Sequence, residues 1–344
     1  MKGMKIGIDF GSYSLKIYVE GKGIVADEPS IVAIDNQTGN PIAFGKAAYN
    51  VYGRSGDDIS ISKVIQNGVV SDFVMAERML RFYIQRVCGN RIYKPNIILS
   101  LPTNVSGLEK KTLLDVVTLA GAGRVCLIEG VLASAFGCDS SDENTGGRMV
   151  IDIGHHITEY AIISSGGIGA KGTIKHGSYD IDKAIINHLR KDRDILIGPH
   201  TAREIKNKIT SAEKRECEAA LFVSGKSALD NLPISFEITS TEVYPYVDEK
   251  IDMIIKEIHQ DILKISPDLL SDAADNGIML CGGGSLIFDI AERLSNQLSI
   301  RCEIIDDPRL AKIKGLGHFI VNDKWLQENG YRFIFRDEIK DRLN

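Results

Sequence analysis

Two stretches of the chain carry the same arrangement of reactive residue types. In "IDFGSYSLK" an apolar run delivers Asp9 and Gly11 to a turn that continues with Ser12, Tyr13, Ser14 and Lys16. In "IDIGHHITE" a second run delivers Asp152 and Gly154, followed by His155, His156 and Thr158. An aspartate at a strand end is a hard oxygen ligand that holds Mg2+ through water, and a tight turn of small residues lets backbone N–H groups and hydroxyls approach an anion. Lys16 adds a point charge suited to phosphate. In "CGGGSL" (281–286) three glycines let a nucleoside or phosphate lie against bare backbone. Any one of these signals is weak, and an ordinary hairpin explains the first as well as a phosphate loop does. Together, in this order, they point to a polyphosphate gripped from both sides by two hairpins, its metal held between two carboxylates.

The elements that must position these turns are short apolar strands. Residues 5–19 read as two strands joined at the turn, and Ile8-Asp9-Phe10-Gly11 lines up with Ile151-Asp152-Ile153-Gly154, an apolar strand following in each case. The chain therefore reads as a duplication. "NIILSLP" (96–102) is a strand ended by proline, 108–123 is helical with Leu113, Val116, Val117 and Ala120 on one side, and "RVCLIE" is another buried strand. Residues 250–266 place Ile251, Ile254, Ile255, Ile258 and Ile262 at helical spacing and leave His259 outside the stripe. The class is α/β, with two lobes around a nucleotide cleft and a small subdomain inserted in each. The first lobe spans 1–144, with an insert at about 31–71 and a return at 317–344. The second spans 145–316, with an insert at about 178–247. A hairpin is expected around Gly39-Asn40-Pro41, and the polar region 179–247 reads mainly helical.

A chain of 344 residues exceeds one ordinary core and fits two lobes. Its 44% hydrophobic and 25% charged residues are those of a globular protein. A net charge of -5 gives no overall drive toward nucleic acid, and none is expected as a partner. The six cysteines form no CxxC pair, so neither a zinc site nor a disulfide framework is indicated. With no apolar run of membrane-spanning length, a cytoplasmic location is expected.

Several stretches in collinear order resemble the bacterial actin MreB family, within the actin, sugar kinase and heat-shock ATPase superfamily. They are "IGIDFGSYSLKIYV", "GKGIVADEPSIVAID", "IQNGVVSDF", "LIEGVLASAFG", "DIGHHITE", "AIINHLRKDRDILIGPHTAREIKNKI" and "LCGGGSLI" followed by "DDPRLAKIKGLGHFI". The resemblance implies an actin-like ATPase fold that binds Mg-ATP and assembles into protofilaments. Carried over residue by residue, it implies that Asp9 and Asp152 hold the waters of Mg2+, and that Gly11, Ser12, Tyr13, Ser14, Lys16, Gly154, His155, His156 and Thr158 line the phosphates. It further implies that Glu129 orients the attacking water. Gly282, Gly283, Gly284 and Ser285 are implied beside the adenosine, and Glu204, Lys206 and Asn207 beside the base and ribose. Without the resemblance, Glu129 reads as a surface-facing glutamate at a strand end.

Three departures from the family pattern bear on activity. His155, His156 and Ile157 replace a run of glycines, at a cost of about 1 kcal/mol or more for each position that needs positive φ. Three readings stay open: an imidazole donates to a phosphate oxygen, the bulk crowds the γ-phosphate and slows hydrolysis, or both rings pack outside the pocket. Metal binding by adjacent histidines is disfavoured, because neighbours on extended chain point to opposite sides. Arg203-Glu204 moves the ribose-binding carboxylate one position, about 100° around the helix. Gly130-Val131 replaces a Glu-Pro pair beside Glu129.

In the family, contact with the inner membrane runs through an amphipathic helix or a small apolar loop; here Ile92 and Tyr93, between Arg91 and Lys94, form such a tip. In the tail, Tyr331, Phe333 and Phe335 alternate with Arg332, Ile334 and Arg336, which reads as an extra strand on the first lobe or a docking patch. A filament protein with slow or impaired ATP hydrolysis is the expected function. A non-polymerising nucleotide-binding regulator of the same fold is the alternative. A sugar kinase lacks a carbohydrate-site motif, and a chaperone lacks chain for a substrate domain.

Overall fold

The computed structural model describes residues 4–53, 56–89, 93–138, 147–164 and 167–335. The chain divides into two compact units, one formed by Met1–Asn144, Gly166–Lys171 and Arg309–Asn344, the other by Thr145–Ser165 and Gly172–Pro308.

The first unit is built on a six-stranded sheet in the order Ile334–Phe335, Arg124–Glu129, Asn96–Leu101, Lys5–Phe10, Ser14–Val19, Gly23–Pro29. Its centre reads as continuous apolar sequence because both faces are covered: Ile6, Ile8, Leu15, Ile17, Ile97, Ile98 and Leu99 are all fully buried. The helix Phe73–Cys88 starts where Asp72 accepts the Met75 N–H, and Gly107–Leu119 starts with a capping box between Ser106 and Glu109. The helices Gly130–Cys138 and Ala311–Val321 meet backbone to backbone at Gly137 and Gly315. A Cβ on Gly137 would overlap the Ala311 carbonyl, and one on Gly315 would overlap the Ala133 carbonyl. Within this unit Ile31–Asp35 pairs with Pro41–Phe44 and Ile59–Lys63, the first of these pairs being the hairpin around Gly39-Asn40-Pro41.

The second unit repeats the plan in a five-stranded sheet: Gly167–Ile174, whose first residues group with the first unit, then Thr158–Ser164, Arg148–Ile153, Ile278–Cys281 and Cys302–Ile304. In both sheets a hairpin pair is joined by a third strand on one side and by two later, parallel strands on the other. The long helix Ser240–Ile262 buries Ile251, Ile254, Ile255, Ile258 and Ile262 and leaves His259 exposed, as its spacing requires.

Residues 179–247 are not mainly helical. Ala220–Ser227 and Pro233–Thr239 form an antiparallel hairpin, with Ile195–Leu196 on the edge. The polar composition hid a period of two in which Val223 faces Phe236 across the pair, both buried, while Phe222 faces Glu237 on the exposed side.

Candidate functional site

The two turns singled out in the sequence fold alike. In the first unit Asp9 lies opposite Lys16 and Phe10 opposite Leu15, and the Gly11 N–H donates to the Ser14 carbonyl at 3.1 Å. In the second, Asp152 lies opposite Glu159 and Ile153 opposite Thr158, and the Gly154 N–H donates to the Ile157 carbonyl at 2.9 Å. Ser12-Tyr13 and His155-His156 are thus the tips of equivalent hairpins.

Around the first tip the donors are dense. Lys16 Nζ donates to Ser14 Oγ at 2.5 Å and lies 4.0 Å from Asp9 and 3.9 Å from Asp27. The buried Asp9 accepts from Ser100 Oγ at 3.0 Å. Ser12 Oγ accepts from the Gly68 N–H at 3.1 Å. Gly68 belongs to an Asn67-Gly68 turn, both residues at positive φ, that joins Ile65–Gln66 to Val69–Val70.

Around the second tip the histidines form part of a ring cluster. His156 is buried and meets Tyr179 edge-on at 4.7 Å; His155 lies 4.7 Å from His156 and 5.0 Å from Tyr179. The expected backbone strain is absent: none of Gly154, His155, His156 and Ile157 has positive φ, so histidine is tolerated where a glycine run was anticipated. The hairpin is held from below, since the Ser178 N–H donates to the Gly154 carbonyl at 3.0 Å and the Tyr179 N–H to the His155 carbonyl at 2.7 Å. These amides start the helix Ser178–Asp192. Close approach excludes a side chain at Gly177, where a Cβ would lie 2.7 Å from the His155 carbonyl oxygen. Thr158, fully buried, donates to the His176 carbonyl at 2.9 Å.

The glycine turn sits beside the second aspartate because Ile278–Cys281 runs parallel to Arg148–Ile153 with Cys281 opposite Asp152. Gly282 has φ +82°, and any Cβ there would collide with the Asp152 carboxylate, so glycine is required twice over. Gly283 is exposed, Gly284 lies against Ile153, and Ser285 is buried with its hydroxyl donating to the Gly282 carbonyl at 2.8 Å.

The helix Pro199–Ile209 splits its candidates. Lys206 is buried, 2.8 Å from Asp182 and donating to the Ser178 carbonyl at 3.0 Å. Burial pulls its ammonium below the usual lysine range, and Asp182 opposes that pull. Arg203 also reaches Asp182, at 3.4 Å. Glu204 and Asn207 are exposed, and Glu204 pairs with Lys208 at 2.7 Å.

Glu129 ends its strand with both oxygens occupied. Lys171 Nζ donates to Oε1 at 3.0 Å and the Tyr331 hydroxyl to Oε2 at 2.7 Å. Burial works to raise its pKa, but the hydrogen bonds from Tyr331 and Lys171 outweigh it and hold the carboxyl below the usual range.

Sequence reasoning missed Ser100, Gly68, Tyr179, Asp182, Lys171 and Tyr331. Of these, the Asn-Gly turn and the alternating tail that carries Tyr331 had a local signal, though neither pointed to a contact at the site; the others come from distant segments. Ile92 lies outside the described residues, and Tyr93 is exposed. Among the described residues, no helix is long and apolar enough to cross a membrane, and no group of three or more His, Cys, Asp or Glu side chains is placed to hold a metal.

The family model described as MreB/Mbl protein matches residues 3–328. The cell shape-determining protein Mbl of Bacillus subtilis is 30% identical over 318 residues, 92% of this chain and 96% of that one. MreB5 of Spiroplasma citri, solved bound to ADP, superposes with a TM-score of 0.89 at 31% identity, covering 95% of this chain and 99% of that one. A MamK double helical filament subunit shares the fold at a TM-score of 0.79 and 16% identity, over 92% and 98% of the two chains. With an actin-like fold and a family match along nearly its whole length, the chain belongs to the MreB/Mbl family of bacterial actins.

Proposed function

We propose that this protein is a cytoplasmic cytoskeletal ATPase that binds ATP with Mg2+, assembles into filaments and hydrolyses ATP slowly, in the service of cell shape or internal organisation. The observation that carries this reading is the repeated hairpin: the same aspartate, glycine and closing hydrogen bond occur in both sheets of a family member whose relative MreB5 has been solved with ADP and with AMPPNP. The names of the Mbl and MreB relatives support the cell-shape role, and the MamK filament supports assembly.

The donor set fits the nucleotide. Asp9 and Asp152 are buried strand-end carboxylates, each suited to a water of Mg2+, which as a rule takes only one or two protein carboxylates beside substrate phosphates. When bound, the ion neutralises charge building on the β- and γ-phosphates. We assign Lys16, the Ser12 and Ser14 hydroxyls and the Gly11 and Tyr13 backbone to the phosphates from the first hairpin. From the second come Gly154, the His155 imidazole at the tip and the Thr158 segment, with His156 turned into the Tyr179 cluster. Gly282, Gly283, Gly284 and Ser285 are assigned to the adenosine, and Lys206, Glu204 and Asn207 to the base and ribose edge. Lys206 acts there through its pairing with Asp182, and Glu129 orients the attacking water.

Titration calorimetry tests the site. Mg-ATP binds the native chain, Asp9→Ala and Asp152→Ala each weaken it at least tenfold, and Glu129→Ala binds normally without turnover; equal binding by all the aspartate variants overturns the assignment. Membrane association through the exposed Tyr93 and its neighbour Ile92 is the accompanying proposal. Co-flotation with anionic vesicles that Tyr93→Ser abolishes supports it, and flotation indifferent to that change removes it.

A further inference from the structure

The tail beyond the family match makes a contact with the hydrolytic carboxylate. The match ends at residue 328, and the chain then turns at Gly330, which has φ +81°, with the Tyr331 N–H donating to the Leu326 carbonyl at 2.8 Å. Two residues pair antiparallel with the strand that carries Glu129, Phe335 opposite Arg124 and Ile334 opposite Val125. The Arg124 guanidinium lies 4.2 Å over the Phe335 ring, and Tyr331 stacks on Trp325 at 6.1 Å. Anchored at both ends, the tail presents the Tyr331 hydroxyl to Glu129 Oε2 at 2.7 Å, while Lys171 holds Oε1.

We propose that Tyr331 is a positioning residue that restrains hydrolysis: its hydroxyl occupies one oxygen of Glu129 and weakens that carboxylate as an acceptor for the attacking water. The inference rests on the reading of Glu129 as the water-orienting group. In the step concerned, a water oxygen bonds the γ-phosphorus. The bond to the β–γ bridging oxygen breaks, its electron pair leaving on ADP, and the water's proton passes toward Glu129 and on to the phosphate products. A carboxylate that already accepts two charge-assisted hydrogen bonds is a poorer proton acceptor, and general-base efficiency falls with basicity. The groups facing Glu129 are the Lys171 ammonium and the Tyr331 phenol, whose own titration is pushed up by burial and then by Glu129.

Tyr331→Phe deletes the hydroxyl and keeps the ring on Trp325. Carboxyl-carbon NMR of 13C-glutamate-labelled protein, with the Glu129 signal assigned by its loss in Glu129→Gln, reads the contact without nucleotide. The Glu129 titration moves to higher pH in Tyr331→Phe. Turnover of Mg-ATP rises about two- to tenfold, a small part of the ~10²–10⁴-fold that a positioned base supplies, with KM unchanged and the acid limb of the kcat profile moved to higher pH. If native turnover is below detection, Tyr331→Phe makes it measurable. Unchanged or lower turnover in Tyr331→Phe, or an unmoved Glu129 titration, overturns the proposal while leaving Glu129 in its role. Unchanged turnover in Glu129→Gln instead overturns the underlying reading and the proposal with it.

Discussion

Replacing His156 by glycine, which restores the small residue expected of this hairpin, should damage the second unit. The His156 side chain is buried, with ring contacts at 4.7 Å to both Tyr179 and His155. Two such contacts are worth about 1–3 kcal/mol in all, at roughly 0.5–1.5 each. Because the φ of His156 is not positive, glycine gains nothing in the folded state and costs roughly 0.5–1 kcal/mol through its greater freedom when unfolded. The sum is about 1.5–4 kcal/mol. At tenfold per 1.4 kcal/mol it corresponds to roughly 10- to 700-fold more frequent opening of the hairpin. The reporters are the Ser178 and Tyr179 amides, whose acceptors are the carbonyls of Gly154 and His155. Native-state hydrogen exchange at those amides should accelerate by that factor in His156→Gly, while the amides of the strand Lys5–Phe10 in the other unit keep their protection. Unchanged protection at Ser178 and Tyr179 would refute the view that the His156 imidazole is a packing element.

Three further outcomes follow from the same geometry. Asp182→Ala strands the buried Lys206 ammonium and should cost about 3–5 kcal/mol by chemical denaturation, whereas Asp182→Leu combined with Lys206→Met should recover most of it. Gly315→Ala forces a methyl into the Ala133 carbonyl and should cost about 1–3 kcal/mol or more, read from thermal unfolding followed by the fluorescence of Trp325. The Glu129 and Asp180 carboxyls are both held below their ordinary values of 4.5 and 3.8, burial in each being outweighed by hydrogen bonds. Their stabilising contribution is therefore complete above those values and is lost as pH falls through the lower folded-state values, so Glu129→Gln should flatten the acid side of the stability profile; an unaltered slope contradicts this.

The sequence carried the two hairpins because their chemistry is local: an apolar strand, an aspartate, a glycine and the returning strand lie within a dozen residues. The isoleucine stripe of Ser240–Ile262 was legible for the same reason, one period repeated along one helix. What escaped was non-local or masked by composition. The strands Ala220–Ser227 and Pro233–Thr239 alternate only weakly, since their outward face mixes Phe222 with serine, lysine and glutamate. Asp182 as the partner of Lys206, and Tyr179 as the seat of the histidines, depend on how the helices Ser178–Asp192 and Pro199–Ile209 meet, which no spacing in one segment reveals. The alternation of Tyr331, Phe333 and Phe335 did signal a strand, of which Ile334–Phe335 pairs; Arg336 lies outside the described residues.

Nucleotide-governed assembly is read by high-speed pelleting of the purified protein with and without Mg-ATP, followed by electron microscopy of the pellet. Ordered filaments that form with Mg-ATP and are lost in Asp9→Ala are the predicted result. Protein that stays in the supernatant with Mg-ATP, both alone and with anionic vesicles, would contradict the account and favour a nucleotide-binding regulator that does not polymerise.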